Sequence, residues 1–189
     1  MAVESTNPQI DRDRVVYLTR ELLLAIGEDP EREGLRGTPE RVAGFWQEFI
    51  EYDPGNLDAI FESISTDQMV VVTGLRVWSL CEHHLLPFWC DISVGYIARD
   101  CVLGLSKFAR IAHMFAHRPQ IQERLVHQIA DQIEELTCSK DVAVLASGYH
   151  TCMIMRGIRT PGTMKTTVMR GVFLKESAAR QEFLTLVNL

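Results

Sequence analysis

Two short clusters of cysteine and histidine stand far apart in this sequence. The first reads Cys-Glu-His-His from Cys81 to His84, and the second reads His-Thr-Cys from His150 to Cys152. Thiolate sulfur and imidazole nitrogen are the ligand atoms that zinc prefers in proteins. Two cysteines and one histidine would leave the fourth tetrahedral position open to water, as in a catalytic site. The clusters therefore indicate a catalytic metal site, provided that the fold brings them together.

Other interpretations of these residue types remain open. A buried cysteine is commonly a small hydrophobic residue, and Cys-x-x-His alone falls short of a zinc-finger pattern. His113 and His117 are spaced to share one helix face, but no glutamate follows His113 to act as a base. The segment 104–107 precedes a predicted helix, so its backbone N–H groups and Lys107 could bind a phosphate, with Arg110 one turn further on. It lacks the full P-loop spacing, so it is a weak signal on its own.

The first third of the chain has helical patterns. Apolar residues from Val15 to Ile26 fall on one helix face, and Gly27 can end that helix. Thr38 is predicted to cap a second helix, with Pro39 in its first turn and apolar residues up to residue 50. The run 53–56, Asp-Pro-Gly-Asn, breaks this helix. We therefore predict an N-terminal helical region over residues 1–55 and a catalytic domain over residues 56–189.

The second part has mainly strand patterns around a pair of helices. Strands are predicted over 69–73, 91–97 and 163–173, with a strand pair over 141–156 that bends at Ser147 and Gly148. Helices are predicted over 106–117 and 120–136, and a last helix runs from a Ser177 cap to residue 186. This order predicts an α+β fold with an antiparallel sheet, a helix pair and an N-terminal helical extension.

Composition narrows the class of protein. The net charge is −6 and the pI is near 5.5, which disfavours nucleic acid as a partner. No apolar run approaches the roughly 20 residues of a membrane span, and the N-terminus lacks the pattern of a signal peptide. Five irregularly spaced cysteines argue against a disulfide framework. We therefore expect a cytoplasmic protein that does not bind membranes.

Several motifs together resemble the GTP cyclohydrolase I family. They are SLCEHHLLPF (79–88), GLSK (104–107), RPQIQERL (118–125), HTCM (150–153) and MRG (155–157), with further similarity at 34–42 and 182–184. The resemblance spans nearly the whole chain. It implies the tunnelling fold (T-fold), in which antiparallel sheets and paired helices from several subunits form an oligomeric β-barrel. It also implies a homodecamer of two pentamers with active sites between subunits.

The same resemblance implies a reaction and the residues that perform it. The reaction is the zinc-dependent hydrolysis and rearrangement of GTP to 7,8-dihydroneopterin triphosphate with release of formate, the first step of tetrahydrofolate and pterin biosynthesis. Zinc is implied at Cys81, His84 and Cys152. His150 would donate a proton to guanine N7, and His83 would assist formamide hydrolysis and ribose opening.

Substrate contacts are implied in the same way. Glu123, with Gln122, would bind the 2-amino and ring N–H edge of guanine. The residues implied around the triphosphate are Leu105, Ser106, Lys107, Arg110 and Arg156, with Arg41 reaching in from a neighbouring subunit. Ser106 is also counted among the catalytic residues.

Three positions depart from the family pattern, and two other functions stay open. Ser147 replaces a usual acidic residue, Gly44 a frequent cation and Cys90 a common glycine. None of these changes removes a metal ligand or a proposed acid. The alternatives are a catalytically weakened relative that only binds GTP or a pterin, and an interaction protein with a structural zinc ion. Formate release from GTP distinguishes both from the enzyme.

Overall fold

The computed structural model describes residues 9–57, 60–62, 67–99 and 101–188. They belong to two compact units, one ending at Asp53 and the other beginning at Pro54. The elements form a mixed α+β protein, as the sequence predicts.

The first unit consists of two helices that pack against each other, α1 (Arg12–Ala25) and α2 (Thr38–Ile50). The Asp11 carboxylate caps α1 by accepting a hydrogen bond from the backbone N–H of Arg14 at 3.0 Å. Gly27 follows the end of this helix and adopts a left-handed φ of +85°. Glycine favours this conformation, which ends many helices, in agreement with the prediction for Gly27. The predicted Thr38 cap is wrong. Gly37 is the N-cap of α2, because a turn that bonds Thr38 N–H to Leu35 O brings Thr38 into the helix.

The second unit is built on a five-stranded sheet with the order β5-β2-β3-β6-β7. Its strands are β2 (Gln68–Cys81), β3 (Pro87–Ala98), β5 (Pro119–Gln120), β6 (Val142–His150) and β7 (Met164–Met169). All pairings are antiparallel except the short parallel contact of β5 with β2. Two further strands, β1 (Ile60–Glu62) and β4 (Cys101–Leu103), form a separate antiparallel pair.

A helix pair covers one face of the large sheet. The helices are α3 (Leu105–Ala116) and α4 (Gln122–Thr137), and their apolar stripes pack on the sheet in one continuous core. Ile111 and Ile129 are fully buried there against Ile92 and Val144. Burying such side chains contributes about 1.5–3 kcal/mol each, so this core holds the sheet to the helices.

A smaller apolar cluster lies on the opposite face. Two short helices, α6 (Val172–Lys175) and α7 (Ser177–Val187), place Phe173 and Phe183 edge to face with ring centroids 5.7 Å apart. A Cβ atom at Gly95 would lie 2.6 Å from the Phe183 ring, so glycine is needed for this close approach. The predicted Ser177 cap is wrong: Ser177 is the first helical residue and Glu176 precedes it as the N-cap.

The predicted bend at Ser147 and Gly148 is also wrong. β6 runs through both residues, because Ser147 pairs with Asp91 on one side and Lys165 on the other. The chain turns only after His150, into the short helix α5 (Thr151–Ile154). Likewise, the strand predicted to reach residue 173 ends at Met169, and Gly171, with φ of +54°, is the N-cap of α6.

No helix in the described ranges has both the length and the apolar character needed to cross a membrane.

Candidate active site

The first cysteine and histidine cluster lies on the tight connection between β2 and β3. Cys81 is the last residue of β2, and its N–H donates to Leu86 O at 2.8 Å. Its carbonyl accepts from the N–H groups of His84 and Leu85 at 3.2 and 2.7 Å, and Leu85 adopts a left-handed φ of +54°. This turn folds the imidazole of His84 back, so that Nδ1 lies 3.7 Å from Cys81 Sγ.

The strand register brings the second cluster beside this turn. Phe88, near the start of β3, pairs with His150 at the end of β6. The Thr151 hydroxyl donates to Pro87 O at 2.5 Å and holds the start of α5 against β3. As a result, one potential ligand atom from each of Cys81, His84 and Cys152 lies within 4.8 Å of the others. The fold thus brings the two clusters together, which is the condition that the sequence analysis set for a metal site.

The chemistry of these donors fits a soft or borderline divalent cation. The pKa of the Cys152 thiol is raised, first by burial and then by the neighbouring Cys81, while the charge of Arg156 opposes the rise. Two thiolates this close repel each other unless a cation lies between them, and metal binding deprotonates such thiols. Two sulfur donors with one imidazole therefore suit such a cation.

Arg156 contacts the same cluster directly. Its guanidinium Nη1 donates to His84 Nε2, so a cation proposed for the triphosphate lies beside a proposed metal ligand. The other ring nitrogen of His84, Nδ1, is the one that faces Cys81.

Of the two further histidines in the motifs, His83 contacts the cluster, and His150 lies two residues before Cys152. His83 Nδ1 is 3.8 Å from Cys81 Sγ. The His150 ring stacks on Phe88 with centroids 4.5 Å apart and planes inclined by 11°. Burial lowers the pKa of His150, and the nearby charge of Glu123 opposes this shift. Glu123 lies at the start of α4, and it is exposed.

Gln122 lies in the interior, whereas Glu123 is exposed. The Gln122 side chain is only 1% exposed, and protein groups engage both ends of its amide. The sequence placed Gln122 and Glu123 together at the guanine edge. In this structure, only Glu123 points out of the protein interior.

The proposed phosphate-binding residues fall into separate groups. Lys107, 7% exposed, donates through Nζ to Asn56 O, and Arg110 donates to Pro54 O. Leu105 and Ser106 are exposed at the start of α3. Arg156 contacts His84 instead, and Arg41 is exposed on α2 of the first unit. Among the described residues, the hydrogen bonds of Lys107 and Arg110 thus lead to the segment before β1, and that of Arg156 leads to His84.

Sequence reasoning missed an ion pair that holds the turn. Glu82 accepts two hydrogen bonds from the Arg124 guanidinium, at 2.6 and 3.2 Å, and its N–H donates to Gln120 O at 3.1 Å. The hydrogen bond from Arg124 is the main cause of the lowered pKa of Glu82. The turn is thereby fastened to the start of α4. The two partners are 42 positions apart, so no local pattern could have indicated the pair.

The family model of GTP cyclohydrolase I matches residues 16–188. The chain belongs to the GTP cyclohydrolase I family. The resemblance of its motifs to this family is therefore confirmed, and the chain is identified as an enzyme of the hydrolase class by full-length relatives.

Two of these relatives are named GTP cyclohydrolase 1. The protein of Sulfurihydrogenibium sp. is 47% identical over 181 residues, covering 95% of this chain and 96% of its own. The protein of Aquifex aeolicus is 45% identical over 180 residues, covering 95% and 98%. A solved structure, the apo form of the archaeosine synthase QueF-Like, matches 55% of this chain and 95% of its own with 18% identity and a TM-score of 0.42.

Proposed function

We propose that this member of the GTP cyclohydrolase I family converts GTP to 7,8-dihydroneopterin triphosphate and formate at a zinc site formed by Cys81, His84 and Cys152. The observation that carries the proposal is the approach of these three ligands within 4.8 Å, with His150 two residues from Cys152. When bound, zinc would lower the pKa of a water molecule towards about 7 and make a nucleophile available at neutral pH.

The histidines supply the proton transfers that the reaction needs. Opening of the guanine imidazole ring at C8 requires a proton at N7, and His150 would deliver it. A histidine titrates near neutral pH, so the same group can give and retake the proton. His83, which also lies beside Cys81, would assist hydrolysis of the formamide and opening of the ribose.

Glu123 would hold the guanine base. Its exposed carboxylate can accept hydrogen bonds from both the 2-amino group and the adjacent ring N–H. That pair of contacts orients the base and distinguishes guanine from adenine, which lacks both donors there. The placement of Gln122 at this edge stays a prediction, because its buried side chain is bound to protein groups.

The triphosphate would be bound by Ser106, Lys107, Arg110 and Arg156, beside Leu105. Lys107 and Arg110 now donate to the carbonyl oxygens of Asn56 and Pro54. Phosphate oxygens carry charge and are stronger acceptors than carbonyls. Binding of the nucleotide would therefore exchange these backbone contacts for phosphate contacts. The overall charge of −6 does not attract an anionic nucleotide to the protein, so these local cations must bind the triphosphate.

The sheet supports assembly into the T-fold barrel. β7 forms one edge of the described sheet, and β5 covers β2 only at Leu80 and Cys81. Strand edges of this kind can pair with strands of another chain. The resemblance to the family implies a homodecamer of two pentamers, and we propose this assembly, with residues 1–55 as a helical region and 56–189 as the catalytic domain. Arg41 would complete a neighbour's site, and the enzyme would act in the cytoplasm at the first step of pterin and tetrahydrofolate biosynthesis.

The direct test is incubation of the purified, zinc-loaded protein with GTP and identification of the products. We expect equal amounts of formate and 7,8-dihydroneopterin triphosphate. GTP binding without formate would instead indicate a catalytically weakened relative. Zinc binding without affinity for GTP would indicate a structural zinc protein, and either result would overturn the proposal.

A further inference from the structure

The orientation of the buried Gln122 amide is set by its surroundings. Its Nε2 atom lies 3.2 Å from Ala146 O, 3.0 Å from Met164 O and 2.9 Å from Thr166 Oγ1. Backbone carbonyls only accept hydrogen bonds, so the NH₂ group must lie on this side. Rotating the amide by half a turn would place its oxygen against two carbonyl oxygens. The Oε1 atom therefore faces the other way.

On that other side, Oε1 meets two donors. His150 Nε2 lies 3.0 Å away, and the Cys90 thiol donates from 3.4 Å. Burial raises the pKa of Cys90 to about 12, so the thiol keeps its hydrogen. Because an amide oxygen can only accept, the imidazole of His150 must carry a hydrogen on Nε2. In the neutral ring, Nδ1 is then the nitrogen with the lone pair.

The same contacts fix the position of the ring. Stacking on Phe88 sets the plane of the imidazole, and the bond to Gln122 sets its rotation within that plane. Gly148 makes room for the arrangement, because a Cβ atom there would lie 2.0 Å from Gln122 Oε1. The missing side chain of Gly148 thus leaves just enough space in the sheet for the Gln122 amide beside His150.

We propose that Gln122 is a positioning residue that holds His150 with a hydrogen on Nε2, so that Nδ1 is the atom that exchanges a proton with the substrate. The proposal rests on the proposed function of His150 as the proton donor to guanine N7. Gln122 then serves the reaction through His150, and recognition of the guanine edge belongs to Glu123. Fixing the tautomer of an imidazole through the nitrogen away from the reaction is a recurrent way to orient it.

A double-mutant cycle tests this role. Gln122→Met keeps the size of the side chain and removes its hydrogen bonds. We expect it to lower kcat for formate release about 10–100-fold, by analogy with outer partners of metal-binding histidines, with the KM for GTP unchanged. In a His150→Ala background, Gln122→Met should cause no further loss, because the group it positions is absent. An equal loss in both backgrounds, or a raised KM with normal kcat, would overturn the proposal.

Thr137→Val is the matched control for lost stability. The Thr137 hydroxyl is also buried on α4 and donates to Ile133 O at 2.6 Å, but it has no contact with His150. This variant should lower the melting temperature without lowering kcat. A comparable fall in kcat in Thr137→Val would assign the effect of Gln122→Met to general loosening of α4.

The tautomer can be measured without turnover. In the zinc-loaded protein labelled with ¹⁵N-histidine, the His150 signals are identified by their loss in His150→Ala. We expect the Nε2–H form in the wild type, and its partial or complete loss in Gln122→Met. An Nδ1–H form in the wild type would overturn the proposal even if Gln122→Met does not fold. If the wild type releases no formate while the Nε2–H form is present, the proposed function fails and the pairing stands.

Discussion

At the scale of residues, the ion pairs of Glu134 on α4 show how one charged side chain can connect neighbouring elements. Its carboxylate accepts hydrogen bonds from Lys140 and, at 2.9 Å, from Arg170. Arg170 follows the end of β7 and also contacts Asp131 at 2.6 Å. The bond from Lys140, followed by that from Arg170, holds the pKa of Glu134 below its ordinary value of 4.5. These contacts join α4 to the chain after β7.

We expect Glu134→Gln to lower the free energy of unfolding by about 1 kcal/mol at pH 7, as for partly exposed ion pairs. A lowered pKa in the folded state gives stability that is present above pH 4.5 and is lost as the pH falls through the folded pKa. The difference between variant and wild type should therefore shrink as the pH falls below 4.5. Urea denaturation at several pH values measures it.

Glu135→Gln is the control for this prediction. Glu135 is exposed at the next position of the same helix, and among the described contacts its carboxylate accepts only a long hydrogen bond from Gln132, at 3.4 Å. Its substitution should change stability little at any pH. If Glu134→Gln and Glu135→Gln behave alike, the bonds from Lys140 and Arg170 do not stabilise the fold.

The sequence singled out Cys81, His84 and Cys152, which the structure brings together, but not the surroundings of Gln122. Cysteine and histidine are rare, and their types alone restrict the chemistry, so Cys81 and Cys152 could be singled out. A glutamine beside Glu123 at a helix start is compatible with solvent, a ligand or the core. The Gln122 side chain is buried because Gly148 on β6 leaves space for it and because β6 and β7 offer hydrogen-bond acceptors. Only the folded sheet supplies this space and these acceptors.

At the scale of elements, the long periodic segments could be predicted and the short ones could not. The stripes of α3 and α4 and the alternation in β3 indicate their type directly. β1, β4 and β5 have only two or three residues each, and their pairing partners lie far along the chain. Strands of two or three residues are too short to show an alternation of apolar and polar residues, so only their pairing in the folded protein defines them.

Glycine explains the main error at this scale. Ser147 with Gly148 suggested a bend, since glycine often marks a turn. In a strand interior, however, glycine can instead mark the close approach of another group. Here that group is the Gln122 amide, so the residue taken as a break in the strand makes room for the proposed partner of His150.

At the scale of the whole molecule, the proposed assembly makes a specific claim about Arg41. Arg41→Ala and His150→Ala chains should each be nearly inactive on GTP. If Arg41 acts in a neighbour's site, an equal random mixture of the two chains should restore activity at about one site in four, where both residues are present. Formate release after co-assembly measures this recovery.

A second mixture provides the control. His150→Ala and Cys152→Ser both damage the part of the site formed by the second unit, so their mixture should recover no activity. If Arg41→Ala with His150→Ala also fails to recover despite verified mixing, Arg41 acts within its own subunit or outside the site.

The central claim is that Cys81, His84 and Cys152 form the catalytic metal site, and joint measurement of zinc content and formate release tests it most directly. The wild type should hold about one zinc ion per chain. Cys138→Ser, at an exposed cysteine outside the cluster, should match it in zinc content and activity. Cys152→Ser should lose zinc and formate release together. Stoichiometric zinc in Cys152→Ser, or undiminished formate release after zinc is lost, would contradict the claim.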